Sequence, residues 1–279
     1  MSTPSTPLPS ITLHDGTVMP QLGFGVFQVP DDGARAAVET ALETGYRSVD
    51  TAAIYGNEAG VGRALAAAGL PREDVFVTTK LWLDGLSREG VRPALEKSLG
   101  LLGLEFVDLY LIHWPAPATD AYLEAWQGME EIRAAGLARS IGVSNFLPEH
   151  LERVAALGGS IPTVNQVELH PALQNRETVA ANTRRDIATE AWSPLGQGAA
   201  LDDPAIGAIA GAHGVTPAQV VLRWHLQQGR IVIPKSVTPS RIAANLEVTG
   251  FSLTQEELAA IDALDRDGRT GPHPAQFHG

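Results

Sequence analysis

The sequence predicts an α/β protein of the (β/α)8 type, a TIM barrel preceded by a β-hairpin. Three observations carry that expectation. Short apolar runs alternate with segments of helical periodicity, and eight such runs occur in order. The runs are apolar on both faces, as in a parallel sheet covered by helices on one side and filled by side chains on the other. The length, 279 residues, suits one barrel of roughly 250 residues with short ends. A doubly wound sheet is the structural alternative. One domain over residues 1–279 is expected, with flexible or loop-like ends at 1–10 and 266–279.

In chain order, Asp15-Gly16 lies between Ile11–Leu13 and Val18–Pro20, a hairpin signal of the Asp-Gly kind. The eight barrel strands are expected at Leu22–Gly25, Ser48–Asp50, Val75–Thr79, Val107–Ile112, Ser140–Val143, Thr163–Val167, Ile187–Ala191 and Ile231–Ile233. After the first, Ala34, Ala37, Val38, Ala41 and Leu42 share one helical face, and Gly45 is placed to end that helix. Thr216-Pro217-Ala218-Gln219 is a capping box with Pro at the first helical position. Thr254 and Glu257 make another ahead of Leu258, Ile261 and Leu264. The tail after Asp265, with Gly268, Gly271, Pro272 and Pro274, has loop composition.

Lys plus Arg number 20 and Asp plus Glu 32, a formal net charge of −12. That balance argues against a nucleic-acid surface, which needs a basic face, but leaves room for a local basic pocket holding a small anion. There is no cysteine, so a disulfide framework and a Cys-ligated metal site are both closed to this chain. The 44% hydrophobic content is too high for a disordered chain and ample for a core. No apolar run approaches the roughly 18 residues of a membrane span. The Ser-, Thr- and Pro-rich start, Met1–Ser10, lacks the basic-then-apolar order of a signal peptide. A cytoplasmic protein with no membrane or nucleic-acid partner is the expectation.

Several signatures begin and fail. Gly23-Phe24-Gly25 opens like a dinucleotide fingerprint, but position 28 is Gln, so the third glycine is missing. Gly142-Val143-Ser144-Asn145-Phe146 opens like a nucleophile elbow, but Phe stands at its second glycine. Glu168 and His170 face one side of a strand; without a third partner they read as a polar strand end, and no metal is expected.

In a barrel, chemistry gathers where the strands end, because the following loops converge there. The second strand ends in Asp50 and leads to Tyr55; the third leads to Lys80 and the fourth to His113. The fifth leads to Ser144-Asn145, the sixth to Gln166, the seventh to Trp192-Ser193 and the eighth to Lys235-Ser236. Any one of these is an ordinary loop residue or helix cap. A carboxylate, a phenol, an amine and an imidazole on three adjacent strands are harder to dismiss, since burying Asp50 and Lys80 is costly unless they pair.

Five ordered blocks resemble the aldo-keto reductases: Gly45–Glu58, Thr78–Trp82, Asp108–Pro115, Gly142–Phe146 and Ile233–Ser236. The match runs from about Pro20 to Asp265. Within that family, Gly25–Phe27, Ala52–Glu58, Val164–Pro171 and Trp192–Gly198 are similar to bacterial 2,5-diketo-D-gluconate reductases, although reductases of glyoxals and other carbonyls share most of these blocks.

The resemblance implies hydride transfer from NADPH to a small carbonyl compound. Tyr55 would be the proton donor. A free phenol titrates near ~10, and a neighbouring Lys80 ammonium would lower that value. Asp50 would hold Lys80 charged and aimed, and His113 would hydrogen-bond the carbonyl oxygen. Ser144, Asn145 and Gln166 match positions that bind the nicotinamide carboxamide. Trp192 matches the ring that stacks on the nicotinamide, where many relatives carry Tyr. Ser193, Leu195 and Gln197 would line the pyrophosphate side or the mouth. Lys235, Ser236 and Arg241, around a helix start, are carried over for the adenosine 2′-phosphate, which favours NADPH over NADH, and Val237 beside them counts among the cofactor-binding residues. Asn245 matches a position near the adenine. Phe27, Trp82 and Trp114 are candidates for the substrate wall. The implied substrate is a 2,5-diketo-D-gluconate-like keto acid, with a general aldehyde or methylglyoxal reductase as the alternative. A cofactor-binding sensor barrel with little turnover and a metal-dependent barrel hydrolase are the rivals from other classes. A monomer is expected.

Overall fold

The computed structural model describes residues 8–278; residues 1–7 of the expected N-terminal end lie outside the described residues, as does Gly279. The chain opens with an antiparallel pair, β1 (Ser10–Thr12) and β2 (Val18–Pro20), in which Ile11 faces Met19. The Leu13 N–H donates to the Thr17 carbonyl at 2.8 Å and the Gly16 N–H to the Leu13 carbonyl at 2.9 Å. These bonds close a three-residue loop over His14, Asp15 and Gly16, with Gly16 at φ +89°, a backbone conformation that a Cβ would strain. The Asp-Gly pair therefore ends a three-residue loop.

Eight parallel strands follow in one sheet: β3 (Phe24–Gly25), β4 (Ser48–Asp50), β5 (Phe76–Leu81), β6 (Val107–Ile112), β7 (Ala138–Ser144), β8 (Val164–Glu168), β9 (Ala188–Trp192) and β10 (Ile231–Val232). The first and last meet. Leu22 bridges Val232 in parallel. The Gly23 N–H reaches the Val232 carbonyl at 2.8 Å, and the Val232 N–H reaches that of Gln21 at 2.9 Å. The sheet is thus a closed barrel, and the doubly wound alternative, which keeps two sheet edges, is excluded. Each observed strand overlaps the expected one.

Side chains two apart on a strand share a face, and the packing shows which face is which. Phe76, Leu109, Leu111, Val164 and Ile231 form one cluster with Leu13 and Met19 of the hairpin. This is the barrel interior, and the hairpin plugs its lower end. The alternate residues Val77, Tyr110, Ile112, Val167, Ala191 and Val232 join the larger core under the helices. Gly142 faces the tight interior. A Cβ there would lie 2.6 Å from the Val164 carbonyl oxygen and 2.8 Å from Leu111. The glycine that resembled the start of a nucleophile elbow serves barrel packing.

Among the described residues ten helices surround the sheet: α1 (Asp31–Thr44), α2 (Glu58–Ala67), α3 (Arg88–Leu102), α4 (Ala121–Ala134), α5 (Pro148–Ala155), α6 (Arg176–Arg184), α7 (Pro204–His213), α8 (Pro217–Gln227), α9 (Pro239–Leu246) and α10 (Gln255–Asp262). Helix α1 buries the five residues read as its apolar face and ends at Gly45, φ +120°, whose N–H returns to Ala41 and Leu42. Arg47 donates to the carbonyls of Leu42 at 3.0 Å and Tyr46 at 2.7 Å, below the barrel mouth. Helices α8 and α10 begin with the expected reciprocal boxes, Thr216 with Gln219 and Thr254 with Glu257. Among the described residues no single helix is long and apolar enough to cross a membrane.

Candidate active site

The upper end of the barrel gathers the ionisable residues that the sequence set at the strand ends. Lys80, fully buried, donates to Asp50 Oδ1 at 2.6 Å and to the Thr51 carbonyl at 2.9 Å. An ammonium has three N–H donors, so one remains for Tyr55, whose ring centroid lies 5.2 Å from Nζ. A short 3-10 turn over Ala53–Tyr55, ended by Gly56 at φ +66°, swings the half-buried Tyr55 back over the strand ends. His113 stands edge-on to Tyr55 at 5.7 Å between ring centroids, and to Trp82 at 5.2 Å. Asp50, Tyr55, Lys80 and His113 therefore share one pocket.

The electrostatics of this pocket follow from its dryness. Burial alone works against the Lys80 ammonium, but Asp50 and Tyr55 outweigh it and hold the amine above its ordinary value, so it stays charged. Burial, helped by Lys80, pushes His113 well below the usual imidazole range. A neutral imidazole donates from one nitrogen and accepts at the other. His113 Nδ1 is buried without a partner, which makes Nε2 the nitrogen able to meet a ligand. For Tyr55 the expected sign is reversed. Lys80 pulls the phenol down, but burial is the larger effect, Asp50 adds to it, and the phenol lies above its ordinary value. The ammonium offsets desolvation; it does not make Tyr55 a strong acid in the free protein.

Gln166 and Glu190 extend the network. The Gln166 amide donates to Asp50 Oδ2 and to Glu190 Oε2, both at 2.9 Å. Glu190 is fully buried, its Oε1 has no partner, and burial beside Asp50 pushes its pKa up to about 8. Sequence reasoning missed Glu190. Its signal was a carboxylate two residues before Trp192 in a strand read as apolar, hence on the interior face.

The groups assigned to the nicotinamide lie beside this network. Ser144 Oγ donates to the Gln166 carbonyl at 2.9 Å. Asn145, at φ +64°, donates to the His113 carbonyl at 3.0 Å and accepts at Oδ1 from the Trp192 indole N–H at 2.8 Å. That bond fixes the plane of the half-buried Trp192. Ser193 and Leu195 are half-buried on the loop after β9, and Gln197 is exposed and donates to Thr270 Oγ1 at 3.2 Å. Lys235, Val237 and Arg241 are exposed around the start of α9, where Ser236 Oγ accepts from the Thr238 N–H at 3.1 Å. Asn245 is buried within α9. A flat indole, amide and hydroxyl groups beside it, and two exposed cations at a helix start fit a nicotinamide dinucleotide phosphate.

The aromatic wall is wider than expected. Phe27 is 52% exposed and lies 5.1 Å from Tyr55 between ring centroids. The loop carrying it is held by Asn57, whose amide donates to the Val26 and Val29 carbonyls, both at 2.9 Å. Trp114 is buried and packs at 4.3 Å on Phe277, which also meets Trp82 at 6.1 Å. Phe277 belongs to the tail expected to be loop-like. Among its described residues the tail has no helix or strand, yet it is tied down by hydrogen bonds and reaches the barrel mouth.

Comparison with known proteins agrees with this geometry. The model of the Aldo/keto reductase family matches residues 21–266. The chain belongs to the aldo-keto reductase family. The methylglyoxal reductase DkgA of Escherichia coli (strain K12) is 52% identical over 271 residues, covering 96% of this chain and 98% of that protein. An aldo-keto reductase of Mycolicibacterium smegmatis is 48% identical over 270 residues, covering 97% of this chain and 98% of that protein. A mutant of Gox0644 solved in complex with NADPH superposes with a TM-score of 0.94 at 48% identity, covering 98% of this chain and 99% of that one. For an aldo-keto reductase barrel, the hydrolase rival falls away, and among the described residues no group of three or more potential metal ligands occurs.

Proposed function

We propose that this aldo-keto reductase reduces small aldehydes and α-dicarbonyls of the methylglyoxal class with NADPH, using Tyr55 as proton donor. The observation that carries the reading is the single pocket in which the 2.6 Å Asp50–Lys80 pair, Tyr55 and a neutral His113 converge. When bound, the reduced nicotinamide supplies the hydride. His113 Nε2 orients the carbonyl oxygen and steadies the charge that develops on it. Tyr55 gives its proton to that oxygen, and Lys80, held by Asp50 and Thr51, stabilises the phenolate left behind. The raised phenol value keeps Tyr55 protonated until a stronger base, the nascent alkoxide, is present. Ser144, Asn145 and Gln166 would hold the carboxamide, and Trp192, locked by Asn145, would stack on the ring. Ser193, Leu195 and Gln197 line the pyrophosphate side, and Asn245 sits by the adenine. Lys235, Ser236 and Arg241 would hold the 2′-phosphate, with Val237 beside them at the cofactor.

The methylglyoxal class is favoured by the 52%-identical relative named for that activity and by the wall itself. Phe27, Trp82, Trp114 and Phe277 are all uncharged aromatics, suited to a small neutral carbonyl. A keto-sugar acid remains the second reading because Ala52–Glu58 and Trp192–Gly198 resemble 2,5-diketo-D-gluconate reductases.

The test is NADPH oxidation across methylglyoxal, simple aldehydes and keto-sugar acids. Methylglyoxal is expected to have the highest kcat/KM. A keto-sugar acid exceeding it would establish the second reading, and flat traces throughout would point to the sensor. Lys235→Ala with Arg241→Ala should cut the NADPH-over-NADH preference by about tenfold or more, since each charged hydrogen bond contributes about 1.5–3 kcal/mol. An unchanged ratio would reject the phosphate site.

A further inference from the structure

Glu168 ends β8 on the interior face, two residues beyond Gln166, and is 1% exposed. Its carboxylate accepts from the Thr270 N–H at 2.6 Å, Thr270 Oγ1 at 2.5 Å, the Gly271 N–H at 3.1 Å and His170 Nε2 at 3.2 Å, and Arg269 Nη1 lies 3.6 Å away. All but His170 come from the tail. Burial alone would raise Glu168, but the hydrogen bonds from His170 and Thr270 outweigh it and hold the carboxyl below its ordinary value, so it stays charged. Glu168, which the sequence paired with His170 at a polar strand end, is thus satisfied mainly by chain from the other end of the molecule.

Two further contacts show what the tail does once tied. Gly271 lies against the Trp192 indole so closely that a Cβ would stand 2.5 Å from the ring. Farther on, Phe277 stacks on Trp114. One buried carboxylate thereby joins the ring assigned to the nicotinamide face to the aromatic wall assigned to the substrate.

We propose that Glu168 is a positioning residue for substrate selection: it latches the C-terminal tail through Thr270 and Gly271, so that Phe277 completes the wall on Trp114 and Trp82. The proposal rests on the reductase reading above and adds the device that sets the size of carbonyl compound the mouth accepts. Opening the latch should weaken capture of a small carbonyl far more than it slows the chemistry, because Glu168 does not touch the proton-transfer groups.

The test has one readout with catalysis and one without it. In Glu168→Gln, KM for methylglyoxal should rise about tenfold or more, as loss of a charged acceptor with several donors implies, while kcat and NADPH affinity change far less. Trypsin cleavage after Arg269 should become at least about tenfold faster, because the local opening is easier. The KM effect should disappear in a Phe277→Ala background, since coupled residues fail to add. If Glu168→Gln does not fold, Thr270→Val, which changes an exposed side chain, should show the same changes in smaller degree. An unaltered KM and trypsin rate in whichever variant folds would overturn the latch, as would a KM rise of equal size with and without Phe277. A protein that oxidises no NADPH with any carbonyl would defeat the reductase reading instead, and the trypsin rate would still judge the latch.

Discussion

The lower and upper halves of this barrel are built from the same strands and share little else. Below, Phe76, Leu109, Val164 and Ile231 meet the hairpin residues Leu13 and Met19 in a dry apolar plug. Four residues further along, the strand from Phe76 presents Lys80 and that from Leu109 leads to His113, while two residues beyond Val164 stands Gln166. The period of two keeps both sets pointing inward. Stability is therefore concentrated at one end, and groups that are costly to bury are concentrated at the other, where the loops leave room for ligands. The upper groups are tolerated because they satisfy one another: Lys80 uses Asp50 and Thr51, and Gln166 uses Asp50 and Glu190.

Lys80→Met breaks the division most severely, because Lys80 belongs to both ledgers of the protein. Turnover should fall by several orders of magnitude, and Asp50 left buried without its partner should cost about 3–5 kcal/mol in chemical denaturation. A variant of native stability would mean that Asp50 finds another partner. At the other end, Leu109→Ala should cost about 2–5 kcal/mol with kcat of the folded enzyme nearly unchanged. A large kcat loss at native stability would show that the two halves are mechanically coupled.

The smallest effect sharpens the upper half alone. Glu190 is held at about 8 by burial beside Asp50, whereas an unfolded glutamate titrates near ~4.3. Between those values only the folded chain carries the proton. The associated stability is thus fully present below the unfolded value and is lost as pH rises through about 8. Thermal midpoints should accordingly decline in the wild type as pH rises from the unfolded value, near ~4.3, to about 8 and level off above it, and Glu190→Gln should flatten that decline. Parallel curves for the two proteins would show that Glu190 does not titrate in this range.

The contrast also explains what could be read from the chain. The eight strands were legible because each is a short apolar run between helical segments, and the four ionisable groups were legible because they stand at strand ends. The hairpin was legible from Asp15-Gly16 but the length of its loop was not, because that is set by the closing bond between Leu13 and Thr17, which the Asp-Gly pair does not encode. Glu190 escaped notice inside a strand taken as apolar, although its parity with Trp192 marked it as interior. Phe277 and the Glu168 latch had no local signal, since Glu168 and Thr270 stand 102 residues apart and Phe277 is farther still from Trp114 and Trp82. The sign of the Tyr55 shift depended on how deeply the phenol is buried, a quantity that only the folded chain defines.

The most direct test of the account is Tyr55→Phe, with turnover and NADPH affinity measured side by side. Loss of the proton donor should lower kcat for methylglyoxal by about 10²–10⁴-fold while NADPH binding, followed by quenching of tryptophan fluorescence, stays close to that of the wild type. Retained turnover in a folded, NADPH-saturated variant would contradict the assignment of Tyr55, and with it the chemistry ascribed to the Asp50–Lys80 pair.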